Sequence, residues 1–156
     1  MIARRDLLVV CLVLLLGPAA IAQVPNVSDG RSIGVGIQVG LPYGGLLSTR
    51  AWFSPTVGAE AIVFVLGESG DVDGTVTVRG LFRVSDTEVV DFYVATGGTL
   101  SLEDDPFELA VHGGIEFGFR AAAALSWNIE FGASYALDGT LNMAIGTGLH
   151  YYFPSD

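Results

Sequence analysis

The chain has 156 residues, a formal net charge of −10, one cysteine, 51% hydrophobic residues and a mean hydropathy of +0.54. The acidic balance excludes a phosphate-binding surface for nucleic acid, and a single cysteine excludes a disulfide scaffold. No apolar block after residue 22 has the length of a membrane-spanning helix, so the high hydropathy must be distributed in another way.

Residues 1–22 open with Arg4 and Arg5, continue through the apolar run Leu7–Leu16 and end in Ala20-Ile21-Ala22. This is the pattern of a secretory signal peptide cleaved after Ala22, and the run is too short to span a bilayer as a helix. Asp6 follows the two arginines directly, which does not fit a twin-arginine signal. Cys11 lies inside the run behind Val10, so lipidation is not expected there. Residues 23–31 form a polar lead-in. The chain from 23 onward holds five arginines, no lysine and sixteen acidic residues, unlike a soluble surface rich in both Lys and Glu.

From residue 32 the apolar residues recur with a period of two, the signature of strands with two unlike faces. Ser32–Leu41 sets Ile33, Val35, Ile37, Val39 and Leu41 against Gly34, Gly36, Gln38 and Gly40, and Pro42–Gly45 turns it. Leu46–Phe53 follows, where Arg50 and Trp52 share one parity and leave the faces open. Ser54-Pro55-Thr56 leads into Val57–Leu66, and the acidic stretch 67–74 reads as a loop. A strand at 75–84, a turn at 85–88, a strand at 89–102 and a turn at 103–106 come next. The last third alternates most regularly, in Phe107–Phe119, Leu125–Tyr135 and Leu141–Phe153. Residues 120–124 read as a turn, and Leu137-Asp138-Gly139 as a three-residue hairpin with Gly139 left-handed. The prolines after residue 22 all fall at these boundaries, as expected of a residue that cannot donate to a ladder.

Residues 32–153 therefore predict eight antiparallel strands, an all-β up-and-down barrel, with 154–156 as a C-terminal tail. One face is apolar. The other carries many glycines with Glu60, Arg79, Arg83, Glu108, His112, Glu116 and Glu130. Such a face is a poor water-exposed surface but a sensible lining for a narrow lumen, which places the apolar face in lipid. Tyr43, Trp52, Trp127, Tyr135, Tyr151 and Phe153 lie near strand ends, as an aromatic girdle at the two membrane interfaces would.

In this pattern the chain resembles the small eight-stranded outer-membrane barrels of the OmpA and OmpX type. The likeness is most specific at the end, where Gly146, Gly148, Leu149, Tyr151 and Phe153 look like the C-terminal signal read by the outer-membrane assembly machinery. The resemblance implies a monomeric outer-membrane protein with a structural or surface-interaction role, whose partners are the bilayer and that machinery. It departs from the family in the residues Pro154-Ser155-Asp156 after the last aromatic and in Ala144, at a position usually polar.

Glu108, His112 and Glu116 share one face at steps of four, close to Ser126 and Glu130 on the next strand. A proton relay, a metal cluster or Ser-His-Glu chemistry on lipid needs such residue types, but a paired polar lumen needs them too. No catalytic residue, metal or cofactor is expected, and a narrow filled lumen is not expected to act as an open pore. The acidic segments Glu68–Asp73 and Glu103–Asp105 read as solvated loops, since calcium takes six to eight oxygen ligands. Two alternatives remain on the sequence: a soluble lipocalin-like barrel enclosing a small apolar ligand, and a membrane-embedded lipid-modifying enzyme using His112 and Glu116.

Overall fold

The structure, a computed structural model, describes residues 32–41, 45–68, 71–87, 90–101, 109–122 and 124–153; of these, the side chains of 66–68, 71–73, 86, 109–118 and 120–122 lie outside the description. The signal and lead-in segments, the tail, Tyr43 and Glu108 fall outside it.

Eight strands follow one another: β1 (Ile33–Leu41), β2 (Leu47–Trp52), β3 (Val57–Glu68), β4 (Asp71–Asp86), β5 (Val90–Ser101), β6 (Leu109–Ala122), β7 (Leu125–Ala136) and β8 (Leu141–Phe153). Each pairs antiparallel with its neighbour in sequence, and β1 pairs with β8 from Ile33↔Phe153 to Leu41↔Ile145, so the sheet closes on itself. Closure removes the sheet edges that otherwise expose a row of main-chain donors and acceptors.

A row of paired residues leaves Ile33 and passes through Ala51, Ala59, Gly80, Thr96, Gly113 and Ala133 to Met143. Met143 stands ten residues from Phe153, the direct β8 partner of Ile33. This ten-residue stagger tilts the strands by about 35–45° to the barrel axis.

Several segments differ from the sequence reading; residues 67–68 and 85–86, read as loop and turn, belong to β3 and β4. Residues 71–74, read as loop from their acidic and glycine content, continue β4 because β3 runs on beside them, with Val65↔Gly74 and Glu68↔Asp71 in register. Residues 120–122, read as turn, belong to β6, where a bulge between Arg120 and Ala122 carries the ladder to Ala122↔Leu125. A second bulge lies between Arg83 and Ser85.

The β7–β8 hairpin has the expected form. Ala136 N donates to Thr140 O at 2.9 Å, enclosing three residues, and Gly139 has φ +97°, which favours glycine. Asp138 Oδ1 accepts from Thr140 N at 2.8 Å. That bond stabilises the carboxylate and holds the exposed Asp138 below the usual aspartate range. A depressed folded-state value means the contribution is present above the ordinary aspartate range and is lost as pH falls through the lowered one. Hydrogen exchange of the Thr140 amide, measured along an acid titration and corrected for intrinsic rates, is expected to quicken only as that lowered value is passed. Exchange that ignores Asp138→Asn at neutral pH would remove this assignment.

Candidate functional site

Most of the large apolar residues described on the strands face outward, while Trp52, Ile62, Leu81, Tyr93 and Tyr152 are buried inside. Ile37, Val39, Leu47, Val65, Val78, Phe82, Phe131, Ile145 and Leu149 are all exposed. Inward, where a water-soluble domain keeps its hydrophobic core, the buried residues include Gln38, Ser48, Arg50, Glu60, Arg79, Asp91, Asn128, Glu130 and His150. The distribution is inverted relative to that of a water-soluble protein.

The centre of the lumen is the Glu60 carboxylate on β3. Its Oε1 accepts from Ser48 Oγ at 2.6 Å and Arg50 Nε at 2.9 Å, both from β2, and lies 3.2 Å from His150 Nε2 on β8. Its Oε2 accepts from Arg79 Nε at 2.6 Å, from β4 on the other side. Arg79 then reaches across the lumen, donating from Nη1 to Glu130 Oε2 on β7. Local pairing explains part of this: Arg50, Glu60 and Arg79 are neighbours in one row, Arg50↔Glu60↔Arg79. The rest is set by the roundness of the barrel. An ion taken out of water costs several kcal/mol, which only paired charge and well-placed hydrogen bonds offset.

His150 Nε2 lies 2.9 Å from Ser48 Oγ as well as close to Glu60. Serine, histidine and glutamate thus meet, but a relay places the base between the other two, with one ring nitrogen on each. Here one nitrogen faces both oxygens, and Ser48 Oγ already donates to Glu60. The arrangement is an ion-pair network with a hydroxyl in it.

A second group closes the end of the barrel where β1 begins and β8 ends, here the terminal end. Trp52 packs on Tyr93 with ring centroids 5.1 Å apart, and the Arg83 guanidinium lies 4.3 Å from the centroid of the Trp52 ring. Such stacking is attractive through the ring quadrupole and strengthens in a desolvated site. Tyr93 Oη donates to Asp91 Oδ2 at 2.8 Å, and Arg83 Nη2 lies 3.9 Å from the same oxygen. Glycines make room for the inward rings: a Cβ on Gly58 would stand 2.8 Å from Trp52 Cε3, and one on Gly34 would stand 2.9 Å from Cδ1 of Tyr152, which is buried on β8.

Of the polar residues expected in the lumen, Glu60, Arg79, Arg83 and Glu130 are there and interact. His112 and Glu116 stand opposite Ser134 and Glu130 in the β6/β7 register, and their side chains are outside the description. Ser48, Arg50, Asp91, Tyr93 and His150 were missed. His150 alone stood on a face already read as inward; the faces of β2 and β5 were left unassigned, and nothing local pointed to the partners of these residues.

The expected girdle needs one correction. Trp52 is 1% exposed and belongs to the lumen, because it shares the inward parity of Arg50 and fits over Gly58. Trp127, Tyr135, Tyr151 and Phe153 do face outward. Trp127 stacks on Phe119 with centroids 5.1 Å apart, and Tyr151 meets Phe153 edge-on at 5.6 Å. With Phe53 and Phe82 these rings gather at the terminal end, whereas Tyr135 lies near the opposite, far end. Leu149, Tyr151 and Phe153 share the outward face of β8, with Gly146 and Gly148 buried on the inward one.

No family model and no curated protein matches the chain. Among solved structures it is similar to the solution NMR structure of the de novo designed protein TMB2.3, with TM-score 0.55 and 17% identity, over 81% of this chain and 98% of that one. At that identity the likeness speaks for the fold alone. The fold is a β-barrel of antiparallel up-and-down strands.

Proposed function

We propose that the chain is exported through a cleaved signal peptide and spans an outer membrane as a monomeric barrel of the OmpA/OmpX kind, with a structural or surface-interaction role and no catalytic one. The observation that carries this is the inversion of faces: buried ions inside, exposed Val, Ile, Leu and Phe outside. Hydrocarbon is the solvent in which such an exterior is stable, and a closed barrel is one of the two forms that satisfy every main-chain group there. The aromatic ring at the terminal end supports an interfacial position for that end. TMB2.3, a designed transmembrane β-barrel, supports the same reading.

The Glu60 network and the Trp52–Arg83–Tyr93 group fill the lumen at two levels, which favours a plugged barrel over a diffusion pore. Leu149, Tyr151 and Phe153 on the outward face of β8 are the residues offered to the assembly machinery. The lipocalin-like alternative requires an apolar interior, and Arg50, Glu60, Arg79 and Glu130 do not provide one.

Fractionation followed by gel migration with and without heating tests the proposal. The expected result is recovery from the outer-membrane fraction in detergent, with a folded form that changes mobility on boiling. Recovery in the soluble fraction with no heat shift would overturn it.

A further inference from the structure

Trp127 is an outward aromatic with a polar hydrogen that needs a partner. The residue is 41% exposed, and its indole Nε1 donates to Thr147 Oγ1 on β8 at 2.9 Å. Thr147 Oγ1 donates in turn to the Asn128 main-chain oxygen at 2.8 Å. Trp127 and Thr147 share the outward face, where Trp127 pairs with Leu149 and Thr147 with Ile129. Both polar hydrogens are therefore taken up within the sheet. A tryptophan at a membrane interface keeps its N–H for water and headgroups while its ring meets the chains. Here the barrel itself supplies the acceptor, and Phe119 stacks on the indole ring.

Two phenyl rings lie nearer the terminal end than Trp127 does. The row of pairs through Ala51 reaches Ala133 on β7 and climbs about six residues on the way, as a stagger of ten over eight strands requires. Trp127 stands six residues from Ala133 toward the terminal end, which is the height of Ala51. Phe53, two residues past Ala51 on that side, is 45% exposed. On β8 the height of Trp127 falls about one residue past Leu149, its partner, and Phe153, 48% exposed, lies about three residues further. At about 3.3 Å per residue and the tilt given above, both rings are about 5–7 Å closer to the terminal end. A phenyl ring has no polar atom to offer water. Hydrocarbon that covers Phe53 and Phe153 therefore extends past Trp127.

We propose that Trp127 packs against acyl chains inside the hydrocarbon, with Phe53 and Phe153 at its boundary, and that Thr147 is the positioning residue that holds the indole there. The inference rests on the membrane reading above. With a hydrocarbon core about 30 Å thick, Trp127 comes to about 8–10 Å from the bilayer midplane. An N–H with no acceptor is costly in an apolar medium, so without the Thr147 hydroxyl the indole turns toward the nearest water, beyond Phe153.

Quenching of tryptophan fluorescence by brominated lipid reads this depth. The chain has two tryptophans, so Trp52→Phe leaves Trp127 as the reporter. If that variant does not close, the difference between the parent and Trp127→Phe isolates the same signal. The protein is folded into phosphatidylcholine vesicles brominated either in the middle of the chain or beside the ester carbonyl. The expected result is quenching of Trp127 about twofold stronger by the mid-chain bromines, which lie nearer its depth. Phe153→Trp, made together with Trp127→Phe, is expected to show the reverse order. Thr147→Val, close in shape but without the hydroxyl, is expected to shift the stronger quenching of Trp127 to the carbonyl bromines, whereas Thr147→Ser keeps the parent's order.

Quenching of Trp127 by the carbonyl bromines that equals or exceeds that by the mid-chain ones would overturn the placement and leave the membrane reading standing. No quenching at either depth, in a protein whose heat-modifiable migration shows a closed barrel, would overturn the membrane reading itself. A Thr147→Val barrel that keeps the parent's order would overturn the role given to Thr147.

Discussion

Replacing Glu60 with methionine is expected to lower the unfolding free energy by about 3–5 kcal/mol, the cost of removing one member of a buried charge network. The carboxylate receives Ser48, Arg50 and Arg79 as donors and stands beside His150, all of them buried, and methionine offers none of them an acceptor of comparable strength. Glu60→Gln, which keeps one oxygen and loses the charge, is expected to fall between methionine and the parent, because a hydrogen bond to an ion is worth more than one to an amide. Equilibrium urea unfolding from phospholipid vesicles, followed by tryptophan fluorescence, measures both variants. A methionine variant within about 1 kcal/mol of the parent would mean that lumen water screens these charges as it screens surface pairs.

Gly36→Val is expected to prevent closure altogether. Gly36 stands between Ser48 on β2 and His150 on β8. A Cβ there would fall on the Leu149 carbonyl oxygen and 2.7 Å from His150 Cα. Both obstacles are main chain and cannot turn away, so the cost exceeds the about 1–3 kcal/mol of an ordinary overpacked side chain. The readout is loss of the heat-modifiable band after refolding, against an outward control, Val35→Ala, that keeps it. A closed Gly36→Val barrel with the parent's unfolding midpoint would show that the β1/β8 seam can separate without penalty.

Much of the fold was legible because a period of two is a direct statement about strands, and because Pro42, Pro55 and Pro106 break it where no ladder can continue. The extension of β4 into Asp71–Gly74 was hidden for a physical reason. Its composition is that of a loop, and it is held as strand by its register with β3. The lumen was legible only by parity. Glu60, Arg79 and Glu130 could be placed on the inward face, but Arg79 and Glu130 are 51 positions apart and His150 and Ser48 are 102 apart. Such pairs are made by the curvature of a closed sheet, which the sequence carries only in its strand count and stagger. Trp52 shows the converse error: an aromatic near a strand end fits a girdle equally well until its parity is fixed by Arg50.

The ring of partners around Glu60 also constrains the order of assembly. Ser48 and Arg50 belong to the second strand and Arg79 to the fourth, while His150 and Glu130 arrive with the last two. An emerging chain that has made β1 to β5 holds Arg50, Glu60, Arg79 and Arg83 on one face of an open, curved sheet, with two of their five central contacts still to come. That face cannot enter hydrocarbon, because its ions would be bare on one side. In a barrel that spans a membrane, as proposed above, the N-terminal half must wait at the aqueous boundary until β7 and β8 arrive, and crossing the bilayer and sealing the barrel become a single event, with the last strand as its trigger.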